Sequence, residues 1–330
     1  MVHLGVFLRF LNFLMDENTP HRLSSATLKL FITSLAAIKN STPCEFNRKV
    51  KERKIKRTGH HFKATELRRM GLYDCLKAFK DVLPENLYKL YLLFQSGVYI
   101  LSSPRFYRTH NGIAKVILRE FVSHAQTVFG RQFIVYNVHS LIHMADECLS
   151  CDGPLDAFSA FKFENYLKTV RDILHSGYKP LQQLANKVRE TRGQLTNPTR
   201  RVGQDEVRIL NPHTVVGEEM AGRHFAKLET RGITLNLRDA DCCFLTDVDE
   251  VVLLSNIIRT PTGDIFLAGH KFLDCRDFYD YPLPSSDLGI MEVSNREGQK
   301  RYWRLDNFAQ KVYLIRGVDS HLCIPLLHSV

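Results

Sequence analysis

Hydrophobic residues recur every three or four positions through the first two-thirds of the chain, and in short alternating runs through the last third. The first pattern is that of amphipathic helices and the second that of half-buried strands. Leu28, Leu30, Phe31, Leu35 and Ile38 follow Ser24 and Ser25, residues of a type that caps helix N-termini. Beyond a basic stretch and Gly59, a further helix is predicted through Glu66, Leu67, Met70, Leu72, Leu76 and Phe79. Pro84 then opens ENLYKLYLLFQSGVYIL, which is apolar on nearly every side and predicts a central, buried helix. Ile113, Val116, Ile117, Phe121, Ala125 and Val128 predict another, with Gly130 as its stop. NVHSLIHMADECLS and FSAFKFENYLKTVRDILHSG keep the helical period, and a last helix runs from Leu181 to about Arg192. The apolar start MVHLGVFLRFLNFLM holds Arg9 within it and is followed by Asp16 and Glu17, so it reads as a buried or amphipathic helix rather than a signal peptide.

The character changes at the polar stretch GQLTNPTRRVGQDEVRILNPH, which reads as a linker. Beyond it, GITLNL, CCFLT, VVLLSNIIRT, DIFLAGHKF, GIMEVS, RYWRL, KVYLIRG and HLCIPLLH alternate with turn signals, and Thr262-Gly263-Asp264 is a hairpin candidate. The expected fold class is therefore α+β: a helical region over 1–195, a linker over 196–214, and a β-rich domain over 215–330 built as a small barrel or sandwich. That domain is expected to fold as a unit, with Phe266, Trp303, Tyr313 and Ile324 in its core and a protease-sensitive site near Asn197-Pro198.

Composition narrows the classes. With 44% hydrophobic and 24% charged residues, 330 residues suit one large globular domain or two ordinary ones. A net charge of +10 favours polyanionic partners, nucleic acid first. No apolar run approaches the roughly 20 residues of a membrane span, so no membrane association is expected. Eight cysteines are too sparse for a disulfide framework, which points to a nuclear or cytoplasmic rather than a secreted protein. The sequence has no Walker A loop, GxSxG elbow or dinucleotide fingerprint, so the common ATPase, hydrolase and dehydrogenase classes lack support.

Three constellations could carry chemistry. His139 and His143, four apart, share a helix face with Asp146 one turn on, and Cys148 and Cys151 follow. They either ligate a metal together or sit on a helix whose histidines bond internally and whose cysteines act as small apolar residues. Glu164 lies among Phe161, Phe163, Tyr166 and Leu167, with Lys168 and Arg171 beyond it. It is either one half of a surface Glu–Lys pair or a metal-binding carboxylate followed by cations for a phosphate backbone. Arg48, Lys49, Lys51, Arg53, Lys54, Lys56 and Arg57 form a localisation signal, a phosphate-contacting arm or a solvated loop.

Taken together, four ordered segments resemble the C-terminal half of animal transposases derived from CACTA (En/Spm) elements. They are FKATELR at 62–68, FIVYNVHSLIHMAD at 133–146, FSAFKFENYL at 158–167 and KPLQQ at 179–183; the tail, including YPLPSS at 281–286, is similar too. The resemblance implies a DDE-type, RNase H-like core in which two Asp and one Glu hold Mg²⁺ or Mn²⁺, with Glu164 matching the third carboxylate and Lys168 and Arg171 the cations that follow it. Met1-Val2-His3-Leu4-Gly5-Val6 resembles the end of the family's Asp-bearing motif, which would place both Asp residues upstream of Met1. Lys162 stands where the family pattern has Pro, and Cys148 and Cys151 fall outside that pattern. The expectation is a truncated, transposase-derived protein with no catalysis and no cofactor of its own, binding DNA weakly and without sequence preference. Two alternatives stand beside it: an active transposase whose upstream half is missing from the gene model, and a domesticated adaptor for nucleic acid or protein.

Overall fold

The computed structural model describes residues 2–15, 19–46, 62–159, 167, 170–174, 177–194, 207–215, 217, 219–230 and 232–327. Its first part is helical: α1 (Leu8–Met15), α2 (Ser25–Ile38), α3 (Ala64–Arg69), α4 (Cys75–Lys80), α5 (Glu85–Ser102), α6 (Asn111–Phe129), α7 (Tyr136–His139), α8 (Met144–Ser150) and α9 (Pro180–Gln194). Local chemistry sets their ends. Ser24 accepts a hydrogen bond from the Thr27 amide at 3.0 Å and caps α2. Gly130, at φ +82°, stops α6 in a conformation that disfavours a side chain.

The apolar α5 forms the centre of this body, buried from Leu90 through Ser102. It packs closely on α6 because Gly97 carries no side chain: a Cβ there would lie 2.6 Å from Leu118 Cδ2. The N-terminal apolar run is indeed helical and buried, through Val6, Phe7, Phe10, Leu11 and Leu14. Phe7 stacks on Phe94 of α5 at 5.8 Å.

The second part is an antiparallel sheet of ten strands: β1 (Arg208–His213), β2 (Arg223–Thr230), β3 (Ile233–Asn236), β4 (Cys243–Thr246), β5 (Val251–Arg259), β6 (Ile265–Asp277), β7 (Met291–Arg296), β8 (Arg301–Arg304), β9 (Phe308–Ile315) and β10 (His321–Pro325). The chain is thus α+β. Six strands pair in a closed circuit, β5–β4–β9–β10–β7–β6 and back to β5. The 13-residue β6 makes the closure possible, pairing with β5 up to Lys271 and with β7 from Phe272 onward. The expected hairpin joins β5 to β6, with Gly263 at φ +95° and the Thr260 amide bonded to Asp264 O at 3.0 Å.

Strand alternation sorts the side chains into three clusters. Cys243, Leu245, Val251, Phe272, Val293, Val312, Leu314 and Cys323 gather on one face of the circuit. Phe244, Val252, Leu254 and Trp303 pack with Leu228 and Leu235 of β2 and β3. Tyr313, Ile315, Leu322 and Ile324, alternate residues of β9 and β10, join the helical core instead.

Two expectations are corrected. Tyr313 and Ile324 face the helices rather than an interior of the β part, and Phe266 is half-exposed beneath the Arg304 guanidinium; Trp303 is buried as expected. β1 occupies residues read as linker, and β2 went unread. One face of β9 and β10 belongs to the helical cluster, while the rest of the β part keeps two clusters of its own.

Polar ties cross the same junction. Tyr99 of α5 donates to Pro325 O at 2.8 Å, and Lys80 of α4 donates to Phe278 O at 2.9 Å. Ser96 bonds Tyr279 Oη at 3.1 Å.

Candidate functional site

Two buried charge centres and a third, half-buried one lie at or near this junction. The first surrounds Lys311 on β9, whose side chain is fully buried. Its register follows from alternation: Val312 and Leu314 turn to one face, so Lys311 and Tyr313 turn to the other. The ammonium donates to Glu45 Oε2 at 2.7 Å, Asp241 Oδ1 at 2.6 Å and Thr234 O at 2.6 Å, and lies 3.9 Å from Cys44 Sγ. Glu45 also accepts from the Thr234 amide and Asp241 from the Cys44 amide, each at 2.9 Å. The segment after α2 is thereby fastened to β3, β9 and the loop before β4. Partial burial of the Cys44 sulfur pushes its thiol up to about 11, against the pull of Lys311, although the residue as a whole is exposed.

The second centre joins α3 to β9. Arg69 pairs with Asp74 at 2.8 Å, both fully buried, and Asp74 accepts from Tyr313 Oη at 2.9 Å. Tyr313 Oη lies 3.3 Å from Thr42 Oγ1, and burial raises the phenol well above its usual range. Asp74 closes a π-helical turn, Met70–Asp74, between α3 and α4, which carries the carboxylate round to Arg69.

The third centre brings distant segments together. Arg68 pairs with Asp156, and its charge acts on His3. Burial, and then the Arg68 guanidinium, hold the His3 imidazole down to about 3, so it is neutral at physiological pH.

Among the described residues, Cys44, Glu45 and Asp241 are the one group of three or more metal-type donors within 4.8 Å of one another. Lys311 already supplies the cation to that group. A two-metal centre needs several free carboxylates converging on one point, and the described residues offer none. Glu164, the carboxylate that the transposase resemblance assigns to an Mg²⁺ or Mn²⁺ pair, lies outside the described residues.

The candidates read from the sequence are dispersed. Glu164, Lys168 and the stretch Arg48, Lys49, Lys51, Arg53, Lys54, Lys56 and Arg57 lie outside the described residues. Arg171 is exposed. His139 and His143 are exposed with ring centroids 5.6 Å apart. Asp146 turns to Lys115 of α6, 2.7 Å away, and that bond lowers its carboxyl below the usual range. The two histidines therefore share a face, while Asp146 is engaged by a cation on another helix.

Sequence reasoning missed Lys311, Glu45, Asp241, Arg69 and Asp74. A signal was present in part: Lys311 begins the strand pattern KVYLI, and Arg69 and Asp74 fall inside the apolar run from Leu67 to Phe79. A charge placed within such a run needs a buried partner.

Charge divides unevenly between the two parts. Residues 1–207 carry 31 Lys and Arg against 18 Asp and Glu, whereas residues 208–330 carry 14 against 17. Among the described residues no helix is long and apolar enough to cross a membrane.

Comparison with known proteins adds one match: a domain of unknown function, DUF8592, over residues 210–326, which takes in nearly all of the β part. No curated protein matches the chain. No solved structure matches it either.

Proposed function

We propose that this is a transposase-derived DNA-binding protein of the CACTA type, whose helical half makes the nucleic-acid contact. The observation that carries this reading is the charge partition: the excess of Lys and Arg lies wholly within residues 1–207. A polyanion is drawn to that half and gains nothing from the other. The derivation itself rests on the ordered sequence motifs. In its support, Arg68 and Asp156, which lie in or beside two of the segments resembling the transposases, form an ion pair although they are 88 positions apart. Strand transfer needs in-line attack between metals held by several carboxylates, and Glu164 is the one match to that set within these residues. The chain alone therefore binds DNA without cutting it, in the nucleus or cytoplasm.

The test is duplex binding measured across a salt series. Phosphate contacts release counterions, with a slope of about −0.9 per contact in log K against log salt. K51A/K54A/K56A should reduce the slope by about 2 to 3. An unchanged slope assigns the stretch from Arg48 to Arg57 to another role, and no binding by the parent chain at low salt refutes the reading. DNA cleavage with Mg²⁺ or Mn²⁺ that is lost in Glu164→Gln would overturn the non-catalytic part.

A further inference from the structure

Helix α9 has two unlike faces. Leu184 and Val188 lie on one side and are half-buried. Gln182, Asn186 and Arg189 lie on the opposite side, spaced i, i+4 and i+7, and all three are exposed. That spacing places them in one row along the helix axis. Gln183 and Lys187 flank the row and are occupied locally: Gln183 donates to O of Tyr178, just before the helix, and Lys187 pairs with Glu190 at 3.0 Å. Gln182, Asn186 and Arg189 engage no other described residue through their side chains.

The chemistry of the row is selective. Gln and Asn can each make a bidentate pair with adenine through N6 and N7, and Arg can do so with guanine through O6 and N7. A lone helix fits the major groove of B-DNA. From Gln182 to Arg189 the helix rises about 10 Å, which spans roughly three base pairs at 3.4 Å each. Charge complementarity indicates the occupant. From Lys179 to Arg192 the chain holds Lys179, Lys187, Arg189 and Arg192 against Glu190 alone. The helix also lies in the half that carries the whole cationic excess.

From this juxtaposition we infer that α9 is a sequence-reading element for duplex DNA, with Gln182, Asn186 and Arg189 contacting base edges in the major groove. The inference rests on the DNA-binding reading above but departs from the expectation of sequence-tolerant binding. Phosphate contacts elsewhere in the helical half supply affinity, and this row supplies preference.

The experiment selects sequences from a randomised duplex library with the full chain, alongside Q182A/N186A/R189A and Arg189→Lys. Alanine is a strong helix former and the three sites are exposed, so the helix should persist, with far-ultraviolet circular dichroism as the check. The parent should enrich a short element of three or four base pairs containing both G and A. The triple variant should lose that preference, each lost pair weakening binding to the enriched element by about 5- to 150-fold, while keeping its binding to random duplex. Arg189→Lys keeps the charge but not the planar fork, and should relax selection at the G position. Binding by the parent without enrichment, or enrichment unchanged in the triple variant, overturns this inference and leaves the DNA-binding reading standing. Preference for single-stranded RNA over duplex also overturns it. Failure of the parent to bind any duplex at low salt defeats both.

Discussion

The helical and β parts differ in charge, yet one face of the sheet is buried in the helical core. The first carries 31 basic against 18 acidic residues, and the second 14 against 17. The side chains of β9 and β10 alternate between two hydrophobic clusters, and one of these is the helical core. Tyr313 illustrates the join: it packs on Tyr73 and Phe46 and donates to Asp74. Electrostatic division and mechanical division are thus separate properties of the chain. The first concerns what approaches the surface, and the second concerns what unfolds together.

The most severe test of the shared core is the removal of one charge from it. Lys311→Met leaves Glu45 and Asp241 facing each other without their cation, at side-chain exposures of only 9% and 12%. Breaking a buried pair in this way costs about 3–5 kcal/mol. Urea denaturation should show that loss, and K311M/E45Q/D241N should recover most of it, because no uncompensated charge remains. A loss below about 1 kcal/mol would mean that the segment after α2 is not fastened to the sheet.

Much of the fold was legible in the sequence, and the exceptions have physical causes. Helix α5 and strands β4, β5 and β9 announce themselves because each contains a dense run of apolar residues, such as VVLL in β5 and VYLI in β9. β1 did not, because Asn211-Pro212 reads as a turn and none of its residues is fully buried. β2 carries Arg223, His224, Lys227 and Glu229 among its apolar residues, which hides the alternation. Tyr313 and Ile324 were legible as buried but not as buried against helices, since a strand's period gives two faces without saying what covers either. The buried charge centres were least legible. Lys311, Glu45 and Asp241 are separated by 266 and 70 positions, and a pairing over such distances leaves no local pattern.

The His3 centre gives a pH test confined to the helical half. The unfolded ring titrates near 6.5, whereas burial and Arg68 hold the folded ring at about 3. Between those values the unfolded chain takes up a proton that the folded chain refuses. Its contribution is therefore complete above about pH 6.5 and is lost as pH falls toward 3, at up to about 1.4 kcal/mol per pH unit. Carboxylates titrate over part of the same range, so the informative quantity is the difference between the parent and His3→Leu. The variant should be less sensitive between pH 6.5 and 4.5. Parallel stability curves would place His3 in contact with water.

A milder substitution tests cooperativity directly. Gly97→Ala puts a Cβ 2.6 Å from Leu118 Cδ2 and should cost about 1–3 kcal/mol through overpacking. The damage lies between α5 and α6, yet the single tryptophan, Trp303, sits in the β part beside Phe244. With a shared core, circular dichroism of the helices and Trp303 fluorescence should report the same lowered Tm. A lowered helical transition with an unmoved Trp303 transition would divide the chain into two folding units.

The smallest expected effect bears on the electrostatic half of the comparison. Arg301 and Arg304 on β8 are exposed and would be natural phosphate contacts if the sheet took part in DNA binding. Each already has a local acid: Arg301 pairs with Glu297 at 2.7 Å and Arg304 with Asp264 at 2.9 Å. A phosphate would have to compete with those carboxylates on a surface whose acidic residues outnumber its basic ones. Exposed pairs of this kind contribute only about 0–1 kcal/mol to stability, so R301A/R304A should fold normally. Its affinity for duplex DNA, followed by fluorescence anisotropy at low salt, should stay within about twofold of the parent, and its salt slope should not change. A slope reduced by about 2 would place two phosphate contacts on β8, and DNA binding would then extend across both parts of the molecule.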